Sequence, residues 1–133
     1  MAKRELKSTT SPVVALNTTA ISSDTTTNGV IIDTAGYESI LFIIQSGTIT
    51  DGTYTSLIQE GDDSGLSDAA SVADADLTNT EASIAFAATD DNTSKSIAYV
   101  GDKRYVRLNI VSASTSSGGT LSAVAIKGDP LAT

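Results

Sequence analysis

The sequence predicts an all-β fold: an antiparallel β-sandwich, of which the jelly roll is one form, with an extended N-terminal arm. Three observations predict it. β-Branched residues cluster in short runs bounded by Gly, Asp, Asn and Ser, the pattern of strands separated by polar turns. Ser and Thr together supply 37 of the 133 residues, which suits half-exposed strands and hydroxyl-capped turns better than helix interiors. Seven to nine such runs recur at regular spacing, as in a two-sheet domain. A chain of this length buries ~70% of its unfolded surface around one core. The expected organisation is therefore an arm over residues 1–11 and a single domain over 12–133.

In order, the basic stretch Met1 to Lys7 leads into Pro12 to Leu16, an extended run. Pro12 has no N–H for a ladder, so it belongs at an edge or at a strand entry. Thr18 to Asn28 is polar and dense in Thr, and Asn28-Gly29 is a turn dipeptide feeding a strand at Val30 to Asp33. Ala35-Gly36 turns the chain into Glu38 to Ser46, where Ile40 to Ile44 are all apolar. A strand buried on both faces reads this way, so this one is placed centrally. Asp51-Gly52 is a hairpin signal joining it to Thr53 to Glu60, whose alternation sets Tyr54 and Ile58 against Leu57. Glu60 to Gly65 is acidic and glycine-rich, so the chain reverses there.

Leu66 to Leu77 is ambiguous. Leu66, Ala69, Ala70, Ala73 and Leu77 would stripe a helix capped by Ser67, yet the neighbouring segments are strand-like, and extended structure with a turn near Asp74 is preferred. Glu81 to Ala88 and Ser94 to Val100 read as strands linked by the turn Asp90-Asp91-Asn92. Arg104 to Ala113 alternates Val106, Leu108 and Ile110 with Tyr105, Arg107 and Asn109, and Ser117-Gly118-Gly119 returns it as a hairpin into Thr120 to Lys127. With four Tyr, two Phe and no Trp, the core falls to Ile, Val, Leu and Ala, with Phe42 and Phe86 as its largest members.

Composition excludes much chemistry. There is no Cys and no His, which removes disulfides, thiolate nucleophiles, imidazole bases and the usual zinc or copper ligands. No Gly-x-Ser-x-Gly elbow and no phosphate-binding Gly-Lys-Ser/Thr loop occurs. Glu60, Asp62, Asp63, Asp68, Asp74 and Asp76 form the densest run of carboxylates, joined in sequence by Asp90 and Asp91. Their spacing is not that of an EF-hand loop, and a solvated acidic turn is the preferred reading over a calcium site. No enzyme activity and no cofactor are expected. The longest apolar run has five residues, against roughly 20 for a membrane span, so neither a membrane segment nor a secretory signal is expected.

Net charge is −8, which disfavours direct contact with a phosphate backbone. The charge is uneven. Lys3, Arg4 and Lys7 stand against Glu5 in the first seven residues, and the remainder carries 15 acidic and 5 basic groups. A short basic arm therefore precedes an acidic body, either as a solvated terminus or as a segment that orders on a partner. Tyr105 and Arg107 share one strand face. That face is either an outward surface where the Arg stem lies along the sheet, or a contact for a neighbouring subunit or ligand.

Four strings together resemble a family of small proteins encoded by tailed bacteriophages and prophages, virion structural or head-decoration proteins. They are Gly36-Tyr37-Glu38-Ser39-Ile40, the segment from Gln45 to Tyr54, Ala73-Asp74-Ala75-Asp76-Leu77, and the segment from Tyr99 to Leu108. The similarity covers roughly residues 12 to 128. It implies a non-enzymatic protein, present in many copies on the capsid exterior and made in the host bacterial cytoplasm. Its partner would be the major capsid protein, and it would often be a homotrimer. On that expectation Lys3, Arg4 and Lys7 of the arm face acidic groups of the lattice, Val13, Val14 and Leu16 fill shallow apolar grooves, and Tyr105 and Arg107 form a further subunit contact.

A second similarity points elsewhere. Asp62-Asp63-Ser64-Gly65 followed by Lys103 to Leu108 also looks like discoidin-type carbohydrate-binding jelly rolls, but the Trp that follows such a turn is replaced here by Leu66. The loss of that stacking platform suggests shared architecture without a shared ligand. A tail-tube or tail-completion component is the remaining alternative.

Overall fold

The structure, a computed structural model, describes residues 7–130, and side chains for residues 7–128. Within these residues lie nine strands: β1 Thr10–Ile21, β2 Thr26–Thr27, β3 Ile32–Asp33, β4 Tyr37–Ile49, β5 Thr53–Gly61, β6 Ala70–Ser71, β7 Ser94–Tyr99, β8 Tyr105–Ala113 and β9 Gly119–Pro130. Short 3₁₀ turns cover Lys7–Thr9, Asp74–Asp76 and Glu81–Ile84. The fold is all-β, as the sequence predicts.

Two antiparallel sheets face each other. One runs in the order β1-β9-β4-β7; the other runs β2-β8-β5-β6, with β3 also paired to β8. If β2 and β3 are counted as one interrupted strand, the first strand pairs with the last, the second with the next to last, and so inward to β5 with β6. That is a long hairpin rolled up on itself, the jelly roll. Alternation drives the layering. Ile40, Phe42 and Ile44 of β4, Tyr54 and Ile58 of β5, Ile97 of β7, and Val106, Leu108 and Ile110 of β8 are all buried in the one core between the sheets. Each apolar side chain so buried contributes ~1.5–3 kcal/mol.

Several sequence expectations change. The hairpins read at Asp51-Gly52 and at Ser117-Gly118-Gly119 are not hairpins: β4 and β9 lie in one sheet, and β5 and β8 in the other. These turns carry the chain across the sandwich, because a turn signal reports reversal and not which strand becomes the neighbour. β4 is interior to its sheet but not buried on both faces, since Leu41 and Ile43 are half-exposed. Glu81 to Ala88 is a 3₁₀ turn followed by one bridge, Phe86 to Tyr54. Thr80 accepts the Ser83 N–H there and nucleates the turn. The first long strand starts at Thr10 and runs through Ile21, so part of both the arm and the Thr-rich stretch is laddered against β9. Pro12 sits on that edge strand.

Asn28-Gly29 makes no left-handed turn; the positive-φ glycines are Gly36, Gly52 and Gly118. Gly29 is needed for a close crossing. A Cβ there would strike the carbonyl oxygens of Leu108 and Ala15, while the Gly29 N–H donates to Asn109 Oδ1 (3.1 Å) and the Val30 N–H to Ala15 O (2.7 Å). The segment thereby ties β1 to β8 across the open side of the sandwich.

Two glycine substitutions separate the roles. Gly29→Ala should lower stability by more than ~2 kcal/mol, because backbone carbonyls must move. Gly36→Ala, at φ +89° with nothing within 4 Å of the new Cβ, should cost only ~1 kcal/mol of backbone strain. Urea unfolding of both variants measures the difference; equal costs would remove the crossing role assigned to Gly29.

Candidate functional site

Four of the carboxylates that composition marks as candidate chemistry, Asp63, Asp68, Asp90 and Asp91, are occupied in holding loops. After β5, the Asp68 carboxylate accepts the N–H groups of Asp62 (2.9 Å) and Asp63 (3.2 Å), and Asp63 accepts those of Gly65 (2.9 Å) and Ser67 (3.2 Å). These backbone donors hold both carboxyls below the usual range. Among the described residues no group of three or more His, Cys, Asp or Glu is placed to hold a metal ion. Asp90 accepts the Ala87 N–H (2.8 Å) and Asp91 the Ile49 N–H (2.7 Å).

Asp51 is the strongest tether. From the β4–β5 turn it accepts N–H groups of Gly118 (2.8 Å), Ser117 (3.0 Å) and Ser116 (3.1 Å), together with the Ser116 hydroxyl (2.7 Å). It thereby clamps the turn that precedes β9, and those donors, Gly118 first, hold its carboxyl far below the ordinary carboxylate value. On β7, the Tyr99 O–H donates to Glu60 (2.7 Å) and accepts the Lys103 N–H (3.0 Å); burial, with Glu60 adding to it, pushes the phenol well up. An open groove of about 270 Å³ near these residues is lined by Thr34, Tyr37, Glu38, Asp102 and Lys103, but Lys103 is already paired with Asp62 at 3.2 Å.

Among the described residues, those expected to make contacts do not form one surface. Lys3 and Arg4 lie outside the described residues. Lys7 is exposed in the 3₁₀ turn before β1. Val13 packs against the core, and Val14 is 50% exposed on the outer face of its sheet. Leu16 is 3% exposed and belongs to the core, so it cannot fill a groove on a partner. The β-bulge between Val14 and Leu16 accounts for this: it breaks strict alternation and turns both Ala15 and Leu16 inward. Tyr105 and Arg107 lie on β8, on the outer face of the other sheet. Arg104 sits 5.1 Å from the Tyr105 ring centroid and pairs with Asp33 through Nε (2.9 Å) and Nη2 (3.0 Å). Arg107 donates to Gln59 (2.8 Å). Tyr105 and Arg107 are both half-buried within their own sheet.

The surface that residue-by-residue reading missed is the outer face of the β1-β9-β4-β7 sheet. Register aligns Pro12, Ile126, Leu41 and Ala98 in one row across the four strands. Val14, Val124, Ile43 and Ser96 form the next row. None of the outward positions over Thr10–Val14, Ser122–Gly128, Ser39–Gln45 and Ser94–Ala98 carries an ionisable side chain, in a chain that is 18% charged. The signal was present as two apolar runs, Ile40 to Ile44 and Ala123 to Ile126, which are apolar on both faces of their strands.

No family model matches the sequence, and no curated protein does. Among solved structures the chain is similar to an SPBc2 prophage-derived protein, YomS, with a TM-score of 0.51 at 11% identity over 89% of this chain and 93% of that one. It is also similar to chains of two infectious bursal disease virus structures. One is the Gx strain, with a TM-score of 0.48 at 14% identity over 88% of this chain and 32% of that one; the other is the Gt strain, with a TM-score of 0.33 at 14% identity. The first likeness shows a shared fold.

The tethers predict an acid limb. A carboxylate whose folded pKa lies below its unfolded value stabilises the fold fully above the unfolded value, ~3.9, and loses that contribution as pH falls through the folded one. Asp33, held at about 2 first by its hydrogen bond from Arg104, sets a window from ~pH 4 down to ~pH 2; Asp51, Asp63 and Asp68 shift the same way. The melting temperature followed by circular dichroism should fall across that window. Asp51→Asn should melt lower at neutral pH and lose less on acidification, and an unchanged acid limb would remove Asp51 from the clamp.

Proposed function

We propose that this chain is a non-enzymatic structural component of a phage particle, and that it coats the outside of the capsid lattice as a decoration protein with the major capsid protein as its partner. The observation that carries the proposal is the end-to-end likeness to a prophage-derived protein, which spans 89% of this chain and 93% of the other. Asp51, Asp63, Asp68 and Asp90 support a structural role, because each accepts hydrogen bonds from loop N–H groups. The resemblance of the Tyr99 to Leu108 string to virion proteins points the same way.

The mechanism is linkage. A protein that binds only the assembled, expanded lattice stabilises that state by RT ln(1 + [L]/Kd), ~2.7 kcal/mol per site at a free concentration of about a hundred times Kd. Attraction would come from the basic residues Lys3, Arg4 and Lys7 meeting acidic groups of the lattice. The acidic body, in a chain of net charge −8, favours solubility at high concentration.

Removing residues 2–6 tests the arm while leaving β1, which begins at Thr10, whole. Co-sedimentation with expanded shells should show binding about tenfold weaker for the shortened chain, and the full chain should lose affinity as salt rises. Equal affinity for both chains would eliminate the arm, and failure of the full chain to bind expanded shells would eliminate decoration.

A further inference from the structure

We infer that the outer face of the β1-β9-β4-β7 sheet is a self-association surface, on which two copies of this chain stack face to face about a two-fold axis. The inference is independent of any place in a particle.

The face is unusual in what it exposes and in what it lacks. Val14 on the edge strand β1 and its register partner Val124 on the interior strand β9 are 50% and 40% exposed, while Leu41, Ile43 and Ile126 beside them are only half-covered. Contiguous apolar surface of this kind marks an interaction site. Its border is neutral and polar, with exposed Gln45, Ser94 and Ser96 along one end and side, the arrangement of an apolar centre inside a hydrogen-bonding rim.

Charge selects the occupant. A basic partner would be met by carboxylates and an acidic one by lysines or arginines; the outward positions of these four strands offer neither. What complements a flat, neutral, apolar sheet is another such sheet, and each copy of the chain brings one. With a net charge of −8, copies repel through their acidic loops within a Debye length of ~8 Å, so the charge-free face is where close approach costs least. Two sheets stack ~10 Å apart in this way inside ordinary sandwiches.

Area agrees. Four strands at ~4.8 Å spacing, over a length of ~20 Å, present ~400 Å² in projection per copy, and side-chain relief brings the pair to ~1,000–1,200 Å². That is the lower end of specific interfaces, so the pair should be reversible in the micromolar range. One self-complementary patch closes as a two-fold pair, whereas a three-fold ring needs two different patches. The face therefore favours a dimer over the trimer that the resemblance implies.

Sedimentation equilibrium of the full chain from ~1 to ~100 µM, a range that brackets micromolar association, should show a mass rising towards twice 13.6 kDa. Val124→Lys should raise the dissociation constant at least about tenfold, by burying an unpaired charge. Val111→Lys, on the opposite sheet at a valine 37% exposed, should leave it unchanged. Should Val124→Lys fail to fold, the Cys-free chain allows a single Val124→Cys variant carrying a nitroxide. Two copies stacked on a face ~20 Å wide should then give a dipolar distance under ~30 Å, shorter than the one from Val111→Cys. A chain monomeric at ~100 µM, a trimer of constant mass, a dimer indifferent to Val124→Lys, or spin labels closer at Val111 than at Val124 overturns the inference. So does a monomer that needs Val124 only to bind shells, an outcome that leaves the decoration proposal standing.

Discussion

The constraint on which the rest of the structure depends is the insertion of β9 between β1 and β4. The last long strand pairs on one edge with the first and on the other with the middle of the chain, through registers such as Val14 to Val124 and Ile43 to Val124. Neither pairing is local, so no hairpin can template the sheet, and loop closure must be completed before these contacts stabilise anything. Everything at that end of the sandwich is arranged to bring β9 into line. Gly118 adopts φ +92° and packs so tightly on Ile21 that a Cβ would strike its carbonyl oxygen, and Asp51 grips the three residues that precede the strand. The same insertion assembles the apolar outer rows, because Val124 and Ile126 meet Val14, Leu41 and Ile43 only when β9 lies in the middle.

Side-chain acceptors hold the turns of this acid-rich, cysteine-free chain in place. Its aspartates work as backbone surrogates. A carboxylate presents two strong acceptors at the end of a short stem, so it can collect N–H groups of a turn that no strand would reach. Asp63 and Asp68 do this within one loop, Asp24 accepts the Thr115 N–H (2.8 Å), and Asp51 links turns far apart in sequence. Buried hydroxyls complete the pattern. Ser112 accepts the Thr25 N–H (3.0 Å) and donates to Ser23 O (2.7 Å), and Ser46 donates to the Thr93 carbonyl (3.2 Å) and accepts its N–H (3.0 Å). Acidity is thus concentrated in loops at the sandwich ends, and the four-strand sheet face is left neutral.

Much of the fold was legible and little of the surface was. Alternation along Arg104 to Ala113 gave the inward row Val106, Leu108 and Ile110, because period-two burial is a property of one strand alone. The partner of each strand was not legible: Asp51-Gly52 and Gly118-Gly119 carry strong turn chemistry in either topology, and only three-dimensional closure decides between a hairpin and a crossing. Leu16 faces inward because a bulge inverts facing, and a bulge leaves no mark in composition. The five apolar residues from Ile40 to Ile44 were read as doubly buried. A sheet that is covered on one side and meets another molecule on the other writes the same run.

Of the two ways a β-sheet can recruit another chain, by its edge or by its face, this one guards its β1 edge. Pro12 offers no N–H, β1 is broken by bulges on either side of Leu16, and the Ala15 carbonyl already accepts the Val30 N–H. Such features blunt strand addition and open-ended aggregation. Nothing comparable blunts the face: a single lysine in place of Val14 or Val124 would have done so, and the strands that carry it tolerate Lys95 and Lys127 on their other side. Lys95 lies 4.9 Å from the Phe86 ring centroid and donates to Ala85 O (2.6 Å), so charge is admitted even towards the core where a partner exists. A chain that protects its β1 edge yet leaves valines open on its broadest neutral surface is built to associate by stacking.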